Sequence, residues 1–434
     1  MTSAPNGQTC GTLGLVSSDS TVGDYAKYLY RPVSVRPRGI SKQARDLFEK
    51  AALTYNPDLA WQAEQLGVLL ESIRQGITIE TGPHCQLILD PVTQAALQLG
   101  RIGLRQSQQR ALIWYSCSTV TMESSAFAGP GWLSVNGRPG NLFGFSRRIL
   151  AHHSVCASFY GIKFSPVLAN RSSSPSKLTI LSLDMIRQVL PSQAFTSPAA
   201  AFHSANQRIW AAEKKGSDTP LVTLDDDFAS HLVALHLSQN DGLLSRILFQ
   251  PERRGRLLSA AVAEATAPDP DLKWNTDFFW HFRDGRIRSM RQAGGKLVEQ
   301  AHPDEFTLPF ERHEILSAIE MGVLRPSLFV VLLVLGILPL FRVVGGPYQM
   351  RYYPSFLRIV KAALDLENAD EAELAADLND GPDHGWSLGV IDPSLLPAIY
   401  PFQEGYRAEI EALTNLPIDT ASLDFAAFRF GDAK

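Results

Sequence analysis

Residues 324–353 read LRPSLFVVLLVLGILPLFRVVGGPYQMRYY, and this stretch decides the fold of the chain. Its first half holds the longest apolar run of the sequence, which is unbroken from Leu328 to Leu335. The pattern predicts a buried helix, then a short strand, then a glycine turn that opens another helix. Pro326 suits the first turn of the buried helix, and Pro339 ends it. We expect this order of elements to form a binding floor.

The length of the apolar run indicates where the first helix lies. Its apolar core is about thirteen residues long, which is short of the about 20 residues that a bilayer-spanning helix needs. A helix that is apolar on every side and this short is typical of a protein core. The sequence therefore predicts a buried helix over 326–338, and a membrane-inserted hairpin is the alternative.

The glycine turn is the first candidate binding element. Gly345 and Gly346 follow the strand and allow a positive φ or the close approach of a ligand. Pro347 suits the start of the next helix, whose unpaired N–H groups attract anions. Arg342 and Arg351 add positive charge on either side. We expect this turn to bind substrate, and a plain strand-to-helix turn is the alternative.

The same stretch resembles a known family. Leu338-Pro339, four further residues, Val344-Gly345-Gly346-Pro347, Gln349 and Tyr352 are similar to a C-terminal motif of bacillithiol synthase, the cysteine-adding enzyme. That motif reads roughly LP-xxxx-VGGP-x-E-xx-Y, so Gln349 replaces the family's Glu. Leu324-Arg325-Pro326 resembles an upstream LRP element, with a longer gap here. The resemblance implies an α/β core that joins or transfers small metabolites, and it marks Gln349 and Tyr352 as substrate-binding positions.

The rest of the chain carries less of that family. The resemblance is confined to residues 324–353 of a chain of 434 residues. We do not find the family's N-terminal signature, which is rich in glycine and glutamine, or its acidic EDHD-type segment.

Composition excludes several classes of protein. The chain is 45% hydrophobic and 19% charged, with a net charge of −4 and no basic tail, so nucleic acid is not expected as the main partner. The cysteines are scattered without a CxxC pair, which excludes a disulfide framework or a zinc site. No apolar segment follows the N-terminus, so we expect no signal peptide, no membrane span and a cytoplasmic location. The partner we expect is a small-molecule substrate; a homo-oligomer stays open, and no cofactor is identified.

Polar stretches suggest how the chain is divided. Residues 1–24 predict a flexible arm, because they have few apolar side chains. The polar segment 170–177 separates an N-terminal α/β region, 25–172, from a C-terminal α/β region, 173–434. One continuous domain is the alternative. The predicted fold class is α/β and helix-rich, with a mixed or parallel sheet core, a β-hairpin and an N-terminal helical hairpin.

Periodicity and turn residues place the elements of this fold. The helical hairpin is predicted over 41–55 and 58–75, and a β-hairpin is predicted around Asp284-Gly285. The predicted strands are ITIE (77–80), CQLILD (85–90), ALIWYSCSTVTME (111–123), KLTILSL (177–183) and PLVTLDDD (220–227). The last of these runs directly into a helix, which is the most α/β-like unit of the chain.

The candidate catalytic residues follow from this layout. Glu123 closes the predicted strand 111–123 just before a loop that contains Gly129 and Gly131, and α/β enzymes place chemistry at such strand ends. A solvated strand end is the alternative. His152 follows the loop with Cys156 four residues later, which is compatible with a nucleophile–base pair, although a buried structural cysteine is the alternative.

Two further groups of residues are candidates for a substrate contact or a metal site. Asp277 and Trp280 suggest a substrate contact in the β-hairpin, or a hairpin packed on the core. The run 225–227 is three aspartates, which suit Mg²⁺ or the cap of a helix; we expect the cap and predict no metal site. The loop residues Asn136-Gly137 predict a hairpin turn.

Two functions remain open. The first is an enzyme of small-molecule metabolism, including specialised-metabolite biosynthesis, that acts as a transferase or ligase-like condensing enzyme on an anionic or amino-acid-like substrate. The second is a non-catalytic binding or assembly protein that uses the same loops as interfaces. No GxSxG, GxGxxG or Walker pattern supports a hydrolase, dinucleotide-binding or P-loop class. The enzyme hypothesis requires Glu123, Asp277 and the glycine turn to converge on one cavity.

Overall fold

A parallel sheet lies at the centre of the computed structural model. The model describes residues 20–31, 36–55, 61, 63–81, 84–107, 109–135, 138–170, 182–213, 219–267, 272–346, 348–380, 386–387 and 411–418. The central strands, numbered in chain order, are β1 (Thr78–Glu80), β2 (Leu112–Ser116), β6 (Leu221–Asp225), β12 (Arg342–Gly345) and β13 (Trp386–Ser387). They pair in the order β13–β12–β1–β2–β6, and every pair is parallel. The predicted α/β class with a parallel core is confirmed.

Helices cover both faces of this sheet, as the apolar character of its strands requires. The helices are α1 (Val22–Leu29), α2 (Gly39–Thr54), α3 (Ala63–Gln75), α4 (Pro91–Arg105), α5 (Arg147–His152), α6 (Leu183–Val189), α7 (Pro198–Glu213), α8 (Asp226–Ser238), α9 (Leu243–Phe249), α10 (Pro251–Ala265), α11 (Arg312–Glu320), α12 (Leu328–Leu332), α13 (Gln349–Ala363) and α14 (Ala369–Asp380). On one face α2, α3, α8, α12 and α13 share a core with Ile79 and Val343. On the other face α1, α4 and α7 share a core with Trp114 and Val344. The predicted helical hairpin is α2 and α3, which pack together.

Two smaller sheets complete the fold. An antiparallel sheet has the order β10–β9–β8–β7–β11, with the strands β7 (Phe279–Arg283), β8 (Arg286–Ala293), β9 (Lys296–Glu299), β10 (Thr307–Pro309) and β11 (Leu324–Pro326). The predicted turn Asp284-Gly285 joins β7 to β8, and both residues have positive φ, 53° and 73°, as a tight hairpin requires. The third sheet contains β3 (Trp132–Val135), β4 (Arg138–Asn141) and β5 (Val167–Leu168). Asn136-Gly137, the predicted turn between β3 and β4, lies outside the described residues.

The stretch 324–353 is buried as predicted, but its first helix starts later. Pro326 ends strand β11, where it pairs with Phe279 of β7, so the helix begins only after Ser327, whose hydroxyl caps it. Helix α12 continues as a π-helical turn over Leu333–Ile337. In this turn a Cβ on Gly336 would lie 2.3 Å from Val343 Cγ2, so glycine permits the close packing of the turn on β12.

Two other predicted strands need correction. Residues 85–90 form turns rather than a strand, because the side chain of Asn206 binds their backbone at Ile88 N (2.9 Å) and Gln86 O (2.8 Å). Strand β2 stops at Ser116 instead of reaching residue 123, since the chain turns there toward Asp226. The predicted strand 177–183 lies almost entirely outside the described residues. Strands from both predicted regions of the chain, 25–172 and 173–434, lie together in the central sheet.

Candidate functional site

The central sheet has a topological switch point between β1 and β12. From β1 the strand order continues to β2 and β6 in one direction, and from β12 it continues to β13 in the other. Helix α4, which follows β1, and helix α13, which follows β12, pack on opposite faces of the sheet. Open α/β sheets bind ligands in the crevice outside the carboxyl ends of two such strands.

Five residues lie at this switch point, and we call them the β1–β12 crevice: Thr81, Gly345, Gly346, Gln349 and Tyr352. Thr81 follows β1, Gly345 ends β12 and Gly346 follows it, and Gln349 and Tyr352 lie in the first turn of α13. The Thr81 hydroxyl donates to Gln349 Oε1 at 2.5 Å, and the Tyr352 hydroxyl approaches the same oxygen at 3.3 Å. Thr81 N also donates to Val344 O at 2.7 Å. The crevice is therefore tied together across the two strands.

The two glycines have different environments. A Cβ on Gly345 would lie 1.9 Å from Gln349 Oε1 and 2.9 Å from Thr81 Oγ1, so a side chain there would displace the Gln349 carboxamide. A Cβ on Gly346 would meet no atom of the described residues within 4 Å. Neither glycine is among the residues with positive φ. Glycine is thus needed at 345 for close packing, whereas among the described residues nothing would contact a side chain at 346.

The start of helix α13 differs from the starts of α4 and α8. Its N-cap residue, Tyr348, is exposed and makes no capping hydrogen bond, whereas Asp90 caps α4 and Asp225 caps α8. The first-turn N–H groups of a helix have no intrahelical acceptor and carry the positive end of the helix dipole. At the start of α13 the first of these groups, Gln349 N, donates to Gly346 O at 2.9 Å, and the N–H groups that follow it are suited to an anion or another acceptor.

Gln349 adds a buried donor at the same place. Its side chain is 1% exposed, and its Nε2 has no hydrogen-bond partner among the described residues. Buried polar groups are nearly always hydrogen-bonded, so an unpaired one calls for an explanation.

Three cysteines lie along the carboxyl edge or close to it. Cys85 N donates to Cys117 O at 2.8 Å, and Cys156 Sγ lies 3.1 Å from Ser154 Oγ. Burial raises the pKa of Cys85 to about 12 and that of Cys156 to about 11, and it raises the pKa of Cys117 further. All three are free thiols, and none is a thiolate at neutral pH in this arrangement.

The aspartate run has structural roles at the other end of the edge. Asp225 accepts from Phe228 N at 2.8 Å and so caps α8, which confirms the predicted helix cap. Asp226 is buried and accepts from the backbone N–H groups of Ser118 (2.7 Å) and Thr119 (2.6 Å). Asp227 forms an ion pair with Arg325. Among the described residues no group of His, Cys, Asp and Glu is arranged to hold a metal ion.

The predicted catalytic residues are not brought together. Glu123 is buried and accepts from Trp132 Nε1 (3.2 Å) and Arg147 (2.9 Å). Asp277 accepts from Trp274 Nε1 (2.7 Å) and Gln292 N (2.9 Å). His152 is exposed at the end of α5. No hydrogen bond or ion pair found for these three described side chains joins two of them, and Glu123 lies in a loop because β2 ends early.

The other predicted binding residues divide into three groups. Gly129 has φ 115°, and a Cβ there would lie 2.7 Å from Ser124 N; a Cβ on Gly131 would lie 2.7 Å from Leu150 Cδ2. Both glycines are therefore required for the conformation and packing of the loop that contains them, and not for contact with a ligand. Trp280 pairs with Arg325 across β7 and β11, which places the two side chains on one face of the antiparallel sheet. The side chain of Arg351 lies outside the described residues.

Arg342 is placed away from the crevice, contrary to the prediction. It opens β12 at the amino end of the strand, opposite Thr78, while the glycines close the carboxyl end. Its guanidinium is 1% exposed and donates to the carbonyls of Leu29 (2.9 Å) and Arg31 (2.5 Å) at the end of α1. Arg342 therefore secures α1 to the sheet.

Sequence reasoning missed Thr81 and a second cleft. Thr81 is followed by Gly82-Pro83, just as Val344 is followed by Gly345-Gly346-Pro347. This repeat of glycine and proline after two strands is the sequence signal from which the position of Thr81 in the crevice can be predicted. The cleft has a volume of about 470 Å³ between α8 and α11, and Asp227, His231 and Arg325 are among its lining residues. No pattern in the sequence connects these distant positions.

Comparison with known proteins gives no match: no family model fits the sequence, and no curated protein is significantly similar to it. Within the part of the chain that the structure describes, every helix is too short or too polar to cross a membrane.

Proposed function

We propose that this chain is an enzyme of small-molecule metabolism that binds an anionic or amino-acid-like substrate in the β1–β12 crevice. The observation that carries the proposal is the position of Gly345 and Gly346. Gly345 ends a strand at the topological switch point, and Gly346 lies next to a helix whose N-cap side chain makes no capping hydrogen bond; no atom of the described residues would contact a side chain at 346. In open α/β sheets this is the place where ligands bind, and a helix start favours a negatively charged group.

The reaction class comes from the local resemblance and not from the geometry. The motif around Gly345-Gly346 is similar to one in an enzyme that joins small metabolites, so we propose a transferase or ligase-like condensation. This step is an analogy between local motifs. A cytoplasmic location belongs to the same proposal, since the thiols of Cys85, Cys117 and Cys156 are free.

A non-catalytic binding protein is the second candidate, and one observation favours it. The thiols along the carboxyl edge have raised pKa values, and the carboxylates of Glu123 and Asp277 are engaged by neighbouring donors. A nucleophile or base activated for reaction is therefore not seen among these described groups. Such a protein would hold the same ligand in the same crevice and release it unchanged.

The test begins with identification of the ligand by metabolite co-purification and mass spectrometry. The ligand is then added to the parent and to Gly346→Val, and thermal stability is measured. We expect the parent to be stabilised and the variant to respond at least about tenfold more weakly, because the new side chain lies beside the helix start where the ligand is proposed to bind. Gly255→Val is the matched control, since a Cβ at that exposed helical position also meets no atom within 4 Å.

Two outcomes decide between the candidates. If Gly346→Val responds to the ligand as Gly255→Val does, the crevice is not the binding site and the proposal is wrong. If the ligand binds in the crevice, the parent is incubated with it and with amino-acid and sugar-acid co-substrates, with and without ATP, and products are sought by mass spectrometry. A new covalent product supports the enzyme, whereas unchanged ligand supports the binding protein.

A further inference from the structure

We infer that Gln349 determines the specificity of the crevice, because it offers a ligand a hydrogen-bond donor and no acceptor. The crevice would then select a carboxylate or phosphoryl oxygen over an ammonium group. This inference rests on the proposed function, since it requires a ligand in the crevice.

The hydrogen bonds of Gln349 fix the orientation of its carboxamide. The atom that faces Thr81 Oγ1 lies 2.5 Å from it, which is within the range of O–H···O bonds but shorter than the usual N–H···O range of about 2.7–3.2 Å. This atom is therefore the oxygen, Oε1. Tyr352 approaches the same atom at 3.3 Å, and burial, with a smaller effect of Cys117, raises the pKa of Tyr352, so its hydroxyl remains a donor.

The nitrogen of the same carboxamide, Nε2, is the atom left for a ligand. With Oε1 accepting from two hydroxyls, Nε2 carries both amide protons and finds no partner among the described residues. Burial of an unpaired donor is unfavourable, and an acceptor oxygen from a ligand would remove that penalty. An ammonium group would instead add a second donor against the first.

The charges around the Gln349 carboxamide favour an anion. The uncapped start of α13 contributes the positive end of a helix dipole. Glu80 immediately precedes Thr81, but alternation along β1 sends its side chain to the other face, where it accepts from Tyr30. Burial also raises the pKa of Glu80 to about 8, so this carboxyl is mostly neutral at pH 7 and does not repel an anion.

The inference is tested with simple probes at constant ionic strength. Inorganic phosphate and malonate represent the two oxygen chemistries, and 1,4-diaminobutane represents an amine. We expect phosphate or malonate to stabilise the parent in thermal unfolding, with affinities then measured by calorimetry, and we expect no response to the diamine. The anion that binds more tightly identifies the ligand group as phosphoryl or carboxylate.

Gln349→Glu replaces the donor by an acceptor of nearly the same shape. We expect its affinity for the preferred anion to fall roughly tenfold or more, as the loss of a hydrogen bond to a charged group predicts. Gln300→Glu is the matched control, because Gln300 is exposed beside β9 and the change in charge is the same. If Gln349→Glu binds the anion as tightly as this control, the inference is wrong.

A second variant tests the orientation without changing Gln349. In the double variant Thr81→Val with Tyr352→Phe, both hydroxyls that hold Oε1 are absent, so the carboxamide is free to turn. We expect the preference for the anion over the diamine to fall while the protein stays folded; an unchanged preference would show that the hydroxyls do not set the polarity.

The proposed function fails independently of this inference. A parent that responds to neither anion, although Gly346→Val abolishes binding of the co-purified metabolite, overturns the inference and leaves the crevice as the binding site.

Discussion

Two buried polar side chains at one edge of the central sheet contrast in how far their hydrogen bonds are satisfied. Asp226, beyond β6, accepts from Tyr115, from the backbone N–H groups of Ser118 and Thr119 and from both of their hydroxyls. Gln349, beyond β12, has one atom fully engaged and the other unpaired. A polar group whose bonds are complete stabilises the fold, whereas one with a missing partner indicates a place for a ligand.

Removal of the complete network should produce the largest effect. Asp226→Ala leaves two buried N–H groups and the Tyr115 hydroxyl without their acceptor, at the junction of β2 and β6. We expect the free energy of unfolding, measured by urea denaturation, to fall by about 3–5 kcal/mol, as for other broken buried networks. A loss below about 1 kcal/mol would show that water replaces the carboxylate and that the contrast with Gln349 does not hold.

Glu80 is a third buried polar side chain, one with an unsatisfied atom, and it lies on the other face of β1. Its carboxyl is 0% exposed and its Oε2 has no partner among the described residues, so burial raises its pKa from near 4.5 to about 8. The folded state therefore holds a proton that the unfolded state releases above about pH 4.5. This contribution to stability is complete at low pH and is lost as the pH rises toward 8.

The predicted slope is clearest between pH 6.5 and 8. Burial also raises the pKa of Asp225 to about 6 and lowers that of His236 to about 4. It lowers the pKa of His84, His153, His203, His231 and His281 as well, so these histidines stabilise the folded state increasingly as the pH rises through their ordinary range, and they do so in the parent and in Glu80→Gln alike. Relative to Glu80→Gln, we therefore expect the parent to lose up to about 1.4 kcal/mol per pH unit in this window. Urea denaturation at several pH values checks this, and parallel curves for both proteins would contradict it.

These examples show what the sequence can predict. The β-branched runs and turn residues around β1, β6 and β12 are local signals, and the sheet and the glycine turn follow from them. The pairing of polar side chains is not local: Thr81 and Gln349 are 268 residues apart, and Arg342 and Arg31 are 311 apart. Single-sequence patterns do not connect such positions, so the sequence predicts Arg342 beside the crevice, whereas the structure places it against the end of α1.

The predicted catalytic residues illustrate a second limit. The segment 111–123 has the composition of one long strand, but β2 ends at Ser116. The backbone N–H groups of Ser118 and Thr119 donate to Asp226 and not to a neighbouring strand. Glu123 consequently lies in a loop, paired with Arg147. Where a strand ends depends on its tertiary contacts. A residue that is assigned to a strand end from sequence is therefore misplaced whenever the predicted length of the strand is wrong.

A smaller change should disturb the crevice without breaking the edge. Gly345→Ala places a Cβ where Gln349 Oε1 now lies, 1.9 Å away, and forces the carboxamide to move. We expect a loss of about 1–3 kcal/mol in the free energy of unfolding, typical of overpacking, together with a weaker response to the preferred anion. Urea denaturation and anion titration measure both. A variant that binds the anion as the parent does would separate Gly345 from the site.

The smallest effect on stability is expected at Gln349 itself. Gln349→Met keeps the length of the side chain and removes both the bonded oxygen and the unpaired nitrogen. The lost bond to Thr81 is partly replaced, because the Thr81 hydroxyl also lies 3.2 Å from Val344 O and can donate there. Removal of an unpaired buried donor offsets the rest, so we expect the free energy of unfolding to change by less than about 1 kcal/mol. The anion response should nevertheless disappear. A large loss of stability in urea denaturation, with anion binding retained, would show that Gln349 is a structural group like Asp226 and would remove the contrast between the two side chains.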